Sequence, residues 1–543
     1  MHESERGYMM RKHTKPALMM ILAFLLLAGC ASSGEGQQST QASSSTGESS
    51  SQQTSAEGKT GGTLNIGYPT QPVTLDAHVS SNTAVKDISR EIYEQLVTLD
   101  KDAQVIPLLA ESYEISDDKL SYTFHLRQDV KFHNGKELQA EDVVASLNRW
   151  IKLSSHGKAN FVGAEAKETD PYTVVLQLKT PFLLTLQLLA DPIPAAAIYP
   201  KEVVDEADDK GIKSFIGTGP FQLEEWKQDQ YIHLKKYDDY SARTEPSDGA
   251  GGKKEALVDD LYFRFVTDES TRLAGITSGE YDIALNISVD NEQQIADNPD
   301  LQTFLSPGGM IGYFYNSNDG LFKNVKLRQA VNAIQNVDDI LTSAFRDPQF
   351  YVKTSSLVLP EYPNWYSEAG KESYSQANAD KAKQLLQEAG YNGEEIKIFT
   401  TRDYVDQYNV AVVLQQELES IGIRVKLDVY DWPTLQEKLG TGTEWDIYPM
   451  SYAFRPTFYQ YAFWGGGAGL LKSEKMSELL QGIRTSDSVE AARPLIDELQ
   501  QFVWTEVPFS QIGHTKQVTA LSKNISGFQN ILGPIFWNTT NNK

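Results

Sequence analysis

The residue types that perform catalysis are scattered along this chain of 543 residues. The sequence contains no Walker A phosphate loop, no His-Glu-x-x-His pair, no Gly-x-Ser-x-Gly elbow and no paired Cys-x-x-Cys. The segment Gly-Thr-Gly-Pro-Phe at 217–221 has two glycines but lacks the lysine of a phosphate loop, so it predicts a tight turn. We therefore predict no catalytic residues and expect that the protein is not an enzyme.

Metal-binding residue types are dispersed in the same way. No two of the eight histidines are two to four residues apart, which is the spacing of a local metal site. His133 stands beside Asn134 and Gly135 and is interpreted as a turn residue, not as a metal ligand. The sequence predicts no metal site and no cofactor.

The single cysteine, Cys30, follows a segment that has the features of a bacterial export signal. Residues 11–15 are basic and residues 17–28 are apolar, a run too short to span a bilayer comfortably but as long as a signal-peptide core. Leu27-Ala28-Gly29-Cys30 resembles the lipobox, in which the cysteine is diacylated and becomes the mature N-terminus. Two acyl chains suffice for stable anchoring, so Cys30 is the predicted lipidation site. The alternative is an ordinary signal peptide in which the cysteine is incidental.

Residues 31–60 are almost all Ser, Gly, Gln, Thr and Ala, a composition typical of a flexible tether. The formal net charge of -24 argues against nucleic-acid binding and against membrane contact through a basic surface. We expect a monomer that touches the membrane through its lipid alone. It would face the outside of a Gram-positive cell, or the periplasm otherwise.

Helical and strand periodicities alternate in the rest of the chain. Alternating or continuous apolar runs predict strands at 63–68, 120–127 and 173–178, and a helix is expected at 83–96. The clearest region is 378–450. There, two helices are predicted, one from Asn378 to Gly390 and one that stops at Gly422, interleaved with strands at 396–400, 423–429 and 445–450. This alternation is typical of an α/β sheet built from βαβ units.

A succession of segments resembles the bacterial extracellular solute-binding proteins of family 5, the peptide and nickel class. The resemblance covers nearly everything from 61 to about 530. It is carried, in chain order, by LAESYEISDDKLSYTFHLRQDVKFHNGKELQAEDVVASLNRW (109–150), IGTGPFQLEEWKQDQYIHLKKYDDY (216–240), TRLAGITSGEYDIA (271–284), GYFYNSNDGLFKNVKLRQAVNAI (312–334) and the helix and strand segments between 382 and 425.

The resemblance implies a two-lobed, type II periplasmic-binding-protein-like α/β fold with an extra α/β domain on lobe I. It also implies that solute binds in the cleft between lobes, which close about a hinge. The expected parts are the signal peptide (1–29), the tether (30–60), lobe I (61–104, 217–308 and 505–543), its extra domain (105–216) and lobe II (309–504).

The resemblance also locates the two walls of the cleft. One is the segment after the first strand, here Ser81, Asn82 and Thr83. The other follows the strand at 445–450, where Tyr452 and Ala453 match positions whose backbone pairs with a peptide ligand. Seven aromatic residues lie between 452 and 464. We expect Tyr452 and Phe454 to face the ligand, and Phe458 and Phe463 to pack in the core.

This sequence departs from the family pattern at the expected anion. Peptide binders carry an Asp just after the backbone pair, whereas Arg455 stands here. A guanidinium would repel an ammonium and favour a carboxylate, with Arg402 as the next candidate, unless Arg455 points to solvent. The nickel-binding branch carries an arginine in a run that reads Leu-Ala-Asp-Pro-Ile-Pro here, at 189–194. Its absence argues against a nickel chelate.

Three functions remain open from the sequence. The first is the receptor of an ABC importer that passes an oligopeptide-like solute to the permease subunits. The second is the same scaffold with another solute, such as a metallophore or nickel chelate, an opine or an oligosaccharide. The third is a sensing or adhesion lipoprotein without a transport partner.

Overall fold

The computed structural model describes residues 59–208 and 210–543. The predicted lipidation site Cys30, the signal peptide and all but the end of the tether lie outside the described residues. None of the helices in the described ranges is both long enough and apolar enough to cross a membrane.

Fourteen α-helices occur in the part of the chain that the structure describes. They are α1 (Thr83–Ile92), α2 (Ala140–Leu153), α3 (Ser155–Asn160), α4 (Thr185–Ala190), α5 (Lys201–Asp205), α6 (Glu269–Ser278), α7 (Glu292–Ala296), α8 (Val325–Ile334), α9 (Val337–Phe345), α10 (Ala379–Ala389), α11 (Val405–Ser420), α12 (Trp432–Gly440), α13 (Glu474–Arg484) and α14 (Val489–Glu506).

The strands of the same ranges differ in length from two residues to 14 and 15 residues in the two longest. They are β1 (Thr63–Tyr68), β2 (Val97–Leu99), β3 (Val105–Pro107), β4 (Ala110–Ile115), β5 (Ser121–Leu126), β6 (Glu165–Asp170), β7 (Thr173–Gln177), β8 (Phe221–Lys227), β9 (Tyr231–Lys236), β10 (Asp260–Phe265), β11 (Ile283–Ile287), β12 (Leu301–Tyr315), β13 (Tyr351–Val352), β14 (Glu395–Thr401), β15 (Arg424–Tyr430), β16 (Ile447–Ala453), β17 (Phe509–Ser522), β18 (Ile525–Ser526), β19 (Gln529–Asn530), β20 (Pro534–Ile535) and β21 (Thr540–Asn541).

An eleven-stranded mixed sheet organises the molecule. Its order is β15-β14-β16-β12-β17-β11-β1-β10-β9-β8, and β13 pairs with β17 off this path. The long strands β12 and β17 are antiparallel and lie at the middle. We call β1 and β8–β11 the first half-sheet and β14–β16 the second half-sheet. The two halves are therefore joined through one strand pair.

The two half-sheets attach to different ends of that pair. In the second half-sheet, β16 pairs with 309–315 of β12. In the first half-sheet, β11 pairs with β17 between 518 and 521, a stretch that lies opposite 302–305 of β12. The register of β12 against β17 shifts between Pro307 and Gly309, between the two attachment points. This irregularity marks the joint between the halves.

Local sequence signals account for the helices of the second half-sheet. The Asn378 side chain accepts a hydrogen bond from the Lys381 amide (2.9 Å) at the start of α10, and Gly390 ends the helix with a left-handed φ of 72°. Gly422 takes a φ of 91° after α11. These boundaries and the strands β14–β16 confirm the predicted α/β pattern.

The predicted helix at 83–96 is too long, because α1 ends at Ile92. The turn at 217–221 packs against its last turn, where the Gly219 amide donates to the Ile92 carbonyl oxygen (2.9 Å). A Cβ atom at Gly217 would lie 2.1 Å from that oxygen, so the close approach requires glycine. His133 lies in a separate turn that contacts this one: its backbone amide donates to the Gly217 carbonyl oxygen (2.9 Å).

A four-stranded antiparallel sheet, β4-β5-β7-β6, forms a separate layer that we call the small sheet. Tyr122, Phe124 and Leu126 alternate into its core, as the predicted strand requires. Helix α2 buries Trp150 against the same core. The core is continuous with side chains between 310 and 509, so the small-sheet region packs directly on the part of the chain that contains the second half-sheet.

Candidate solute-binding cleft

A cleft of about 1060 Å³, continuous with solvent, lies among the two half-sheets and the small-sheet region. The register shift of β12 forms its floor, where Pro307 and Gly308 are exposed to the cavity. The walls come from both halves of the molecule. They are lined by Tyr68, Thr83, Lys86, Asp87, 99–101, Ala103, Ile193, Leu285, Asn286, Tyr362, Ala453, Phe454, Arg455, Gln517, Thr519 and 530–534.

Four of the residues expected from sequence lie in this lining. Thr83 is the first residue of α1, on the side of the first half-sheet. Ala453, Phe454 and Arg455 follow one another at the end of β16, on the side of the second half-sheet. The Phe454 ring packs against Tyr362, with ring centroids 5.3 Å apart. The structure thus brings the two predicted wall segments to one cavity.

The other expected residues do not line the cleft. Ser81 is exposed, and the Asn82 side chain caps α1 by accepting from the Ala84 amide (2.8 Å). The Tyr452 ring packs edge-on against Phe314, 5.2 Å between centroids, on the opposite side of β16 from the cavity. Arg402 donates to the Tyr408 hydroxyl (3.0 Å). Phe458 and Phe463 are buried, which confirms that they pack in the core.

Four charged residues of the lining were not anticipated, namely Asp100 and Lys101 after β2 and the pair Lys86 and Asp87 on α1. Lys86 donates to the Leu532 carbonyl oxygen (2.5 Å), and its ammonium nitrogen lies 3.1 Å from Asp87 Oδ1. The other oxygen of Asp87 accepts from the Tyr68 hydroxyl (2.7 Å). Lys86 and Asp87 lie one helical turn after Thr83, so the i, i+3, i+4 spacing of a helix face could have found them.

Burial lowers the pKa of Lys86, and the Asp87 carboxylate opposes this effect. The charges of Arg90 and Arg455 lower the same pKa further. Burial also raises the pKa of the neighbouring Glu91 to about 8, so this carboxyl is mostly protonated at neutral pH. Glu91 therefore does little to neutralise the basic groups around it.

Arg455 is held from the small-sheet side by Asp191, the aspartate of the run at 189–194. Its Nη1 lies 3.8 Å from Asp191 Oδ1, and the carboxylate is almost completely buried. Asp191 also accepts from the Ile193 amide (2.9 Å) and contacts His156 Nε2 (3.2 Å). Burial alone would raise the pKa of Asp191, but the His156 hydrogen bond and the Arg455 charge lower it overall.

One edge of strand β16 is largely unpaired in the described chain. The strand pairs with β12 along its whole length but with β14 only at Ile447. Within the described strands, the β14-facing edge of β16 beyond Ile447 has no strand neighbour. An extended chain could form main-chain hydrogen bonds along such an edge.

Among the described residues, no group of three or more His, Cys, Asp or Glu side chains is placed to hold a metal ion.

Comparison with known proteins gives one consistent result. The family model "Bacterial extracellular solute-binding proteins, family 5 Middle" matches residues 104–469, more than half of the chain. The glutathione-binding protein GsiB of Salmonella typhi is 31% identical over 484 residues, which cover 84% of this chain and 89% of that protein.

Solved structures share the fold. The binding protein AgaA of A. tumefacien R10, in complex with agropinic acid, has a TM-score of 0.70 and 29% identity and covers 88% of this chain and 98% of its own. The oligopeptide-binding protein AppA of Bacillus subtilis, in complex with a nonapeptide, has a TM-score of 0.70 and 22% identity over 88% and 97% of the two chains.

These neighbours are type II periplasmic binding proteins, which confirms the predicted type II periplasmic-binding-protein-like α/β fold. Proteins of this family deliver a solute to an ABC permease, and the relatives are extracytoplasmic binding proteins. The chain belongs to family 5 of the bacterial extracellular solute-binding proteins, and it is a solute-binding protein of an ABC importer, not an enzyme.

Proposed function

We propose that this protein captures an oligopeptide-like solute by closing two lobes over it and then delivers the solute to its permease. The cleft carries this proposal, because residues from both half-sheets line one cavity. A solute that contacts both walls would stabilise the closed arrangement over the open one. The relatives fit the size and chemistry of such a solute: one binds glutathione and another was solved with a nonapeptide.

The strand order supports the proposed division into lobes. Strands β1 and β8–β11 and the central β17 draw on 61–104, 217–308 and 505–543, which we assign to lobe I. The small sheet lies within 105–216, the proposed extra domain, and β14–β16 lie within 309–504, the proposed lobe II. The joint between the lobes would then be the strand pair β12–β17, with its register shift as the hinge.

The open edge of β16 supports a peptide as the solute. Main-chain hydrogen bonds along a strand edge contribute affinity without reading side chains. Ala453 stands at the end of this edge and lines the cleft, beside the Phe454 ring. The bound peptide would lie extended, with its backbone toward Ala453 and with Thr83 on the opposite wall.

An opine is the second candidate, favoured by the likeness to AgaA, whose structure holds agropinic acid. Native mass spectrometry of the protein purified without added solute separates the two. We expect a peptide mass that disappears after unfolding and refolding. Calorimetry with that peptide should then show binding, and small-angle scattering should show a smaller radius of gyration. An opine mass, or a peptide that binds without compaction, would contradict the proposal.

We further propose that Cys30 anchors the protein by its lipid on the outer side of the cell membrane. The lipobox-like tetrapeptide and the single cysteine support this site. Cys30→Ala should release the protein into the medium, or into the periplasm of a host with two membranes, because acylation has no other candidate residue. Detergent-phase partition before and after the substitution measures the effect. Unchanged partition of the variant into the detergent phase would show that the lipobox interpretation is wrong and that Cys30 is not the anchor.

A further inference from the structure

Two cations stand on opposite walls of the cleft. Lys86 is on α1, beside the first half-sheet, and Arg455 follows β16 of the second half-sheet. Both line the same cavity. Because both side chains line one cavity, their like charges repel across it. In agreement with this placement, the charge of Arg455 lowers the pKa of Lys86, after burial and the nearer charges.

Fixed anions do not fully offset this positive charge. Asp87 is 3.1 Å from Lys86, and Asp191 is 3.8 Å from Arg455 but is shared with His156. Arg90, one turn after Lys86, is a further cation that does not line the cleft and donates to the carbonyl oxygens of Ile531 and Gly533. The cleft lining of this acidic protein contains three cations, Lys86, Lys101 and Arg455, and two anions, Asp87 and Asp100, so its formal charge is positive.

Both cations also keep hydrogen-bond donors available. A guanidinium has five N–H donors, and the nearest carboxylate oxygen to Arg455 in the described chain is beyond hydrogen-bond distance at 3.8 Å. The Lys86 ammonium has three donors and two acceptors, Leu532 and Asp87. Each wall can thus offer a charged donor to one bound group.

We propose that a carboxylate of the solute binds between Lys86 and Arg455 and joins two lobes that repel each other at this point while the cleft is empty. This inference rests on the proposed function and adds the chemical class of the solute: a peptide-like molecule with a free carboxylate. It also assigns Lys86, which the sequence did not single out, as a specificity-determining residue.

The physical basis is the change in sign of the interaction across the cleft. Like charges repel, so the pair Lys86–Arg455 favours separation of the walls when nothing lies between them. A carboxylate placed between them attracts both, and the planar guanidinium can bind it through two parallel hydrogen bonds. The anion therefore contributes to affinity and to closure at the same time.

The test compares matched acids and amides in calorimetry and small-angle scattering. The probes are trialanine and trialanine amide, and glutathione and its diethyl ester. The proteins are wild type, Lys86→Met and Arg455→Met, each stripped of solute by unfolding and refolding. Lys167→Met serves as the control, because it removes one exposed lysine of the small sheet that is paired with Glu165.

We expect wild type and the control to bind the free acids roughly thirtyfold more tightly than the blocked forms. Each methionine variant should lose most of this preference. In addition, the empty methionine variants should have a smaller radius of gyration than empty wild type, since the repulsion is gone. A conformational change without solute is an effect that loss of a binding contact alone would not produce.

Equal binding of acids and amides by wild type, or a preference that survives both substitutions, would overturn the inference. If none of the four probes binds, the proposed solute class is wrong. In that case, the radius of gyration of the solute-free methionine variants still shows whether the two cations repel each other. If Lys86→Met does not refold, Lys86→Gln and the cleft-facing Arg455→Met carry the same comparison.

Discussion

Among the ion pairs of the described residues, Lys254 and Glu94 form the most completely buried one. Their charged atoms are 3.0 Å apart, and both side chains are at most 3% exposed. The Glu94 carboxylate also accepts from the Tyr240 and Thr218 hydroxyls. The network links the segment after α1 to the glycine turn at 217–221 and to Trp537, whose ring lies 4.6 Å from the Lys254 nitrogen.

Lys254→Met should destabilise the protein by about 3–5 kcal/mol, because it leaves the Glu94 carboxylate buried without its cation. The neighbouring Lys253→Met is the matched control. Lys253 is half-exposed and paired with Glu255 at the surface, so its loss should cost less than about 1 kcal/mol. Urea unfolding measures both values. Equal stability of the two variants would show that the buried pair contributes no more than a surface pair.

Individual residues of the cleft differ in whether the sequence could predict them. The family resemblance located Thr83 and the segment from Ala453 to Arg455, because these positions follow recognisable strands. Lys86 could have been predicted as well, because it lies three residues after Thr83 on the same face of a helix. The loop at 530–534 was not, because it enters the cleft through tertiary contacts such as the Leu532 carbonyl oxygen on Lys86. No local pattern in a sequence encodes a contact between residues so far apart.

At the scale of elements, the end of α1 illustrates how tertiary packing overrides local pattern. The chain after Ile92 could continue a helix by its apolar spacing, but the glycine turn that begins 125 positions later donates to the last carbonyl oxygen of α1. Helix α10 is the opposite case. Its cap at Asn378 and its end at Gly390 are local signals, and both were predicted correctly.

Gly217→Ala should destabilise the protein by about 1–3 kcal/mol, because the new methyl group would lie 2.1 Å from the backbone oxygen of Ile92. Gly440→Ala is the control. Gly440 lies in α12, and a Cβ atom there meets nothing within 4 Å. We expect the control to be neutral or slightly more stable, since alanine favours a helix. Thermal unfolding of the two variants measures the difference, and a stable Gly217→Ala protein would contradict the close approach.

At the scale of the whole molecule, Arg484 ties the proposed lobe II to the extra domain. Its guanidinium donates to the side chain and the backbone oxygen of Asn160 (2.7 and 2.9 Å) and lies 4.1 Å from the centre of the Phe182 ring. The Leu183 amide donates back to the Arg484 carbonyl oxygen (2.8 Å). These contacts lie outside the cleft lining, so they can stabilise closure without touching the solute.

Arg484→Ala should weaken solute binding about tenfold or more, because hydrogen bonds to a charged group contribute about 1.5–3 kcal/mol to the closed arrangement. Arg424→Ala is the control, since Arg424 binds only the Gly393 carbonyl oxygen within the same lobe. Calorimetry with the co-purified solute gives the affinity, and small-angle scattering gives the degree of closure. Lower stability of Arg484→Ala with unchanged affinity would show that the contact is permanent and takes no part in closure.

The position of β17 near the C-terminus has a consequence for folding during synthesis. This strand stands between β12 and β11, so without it the large sheet is two separate pieces. Because β17 spans Phe509–Ser522, a chain emerging from the ribosome N-terminus first cannot complete the large sheet until almost all of the chain has been made. Pairings between distant segments also form slowly. The large sheet therefore stays incomplete for most of synthesis, and the cleft, which Gln517 and Thr519 of β17 help to line, can form only after the C-terminal segment has been made.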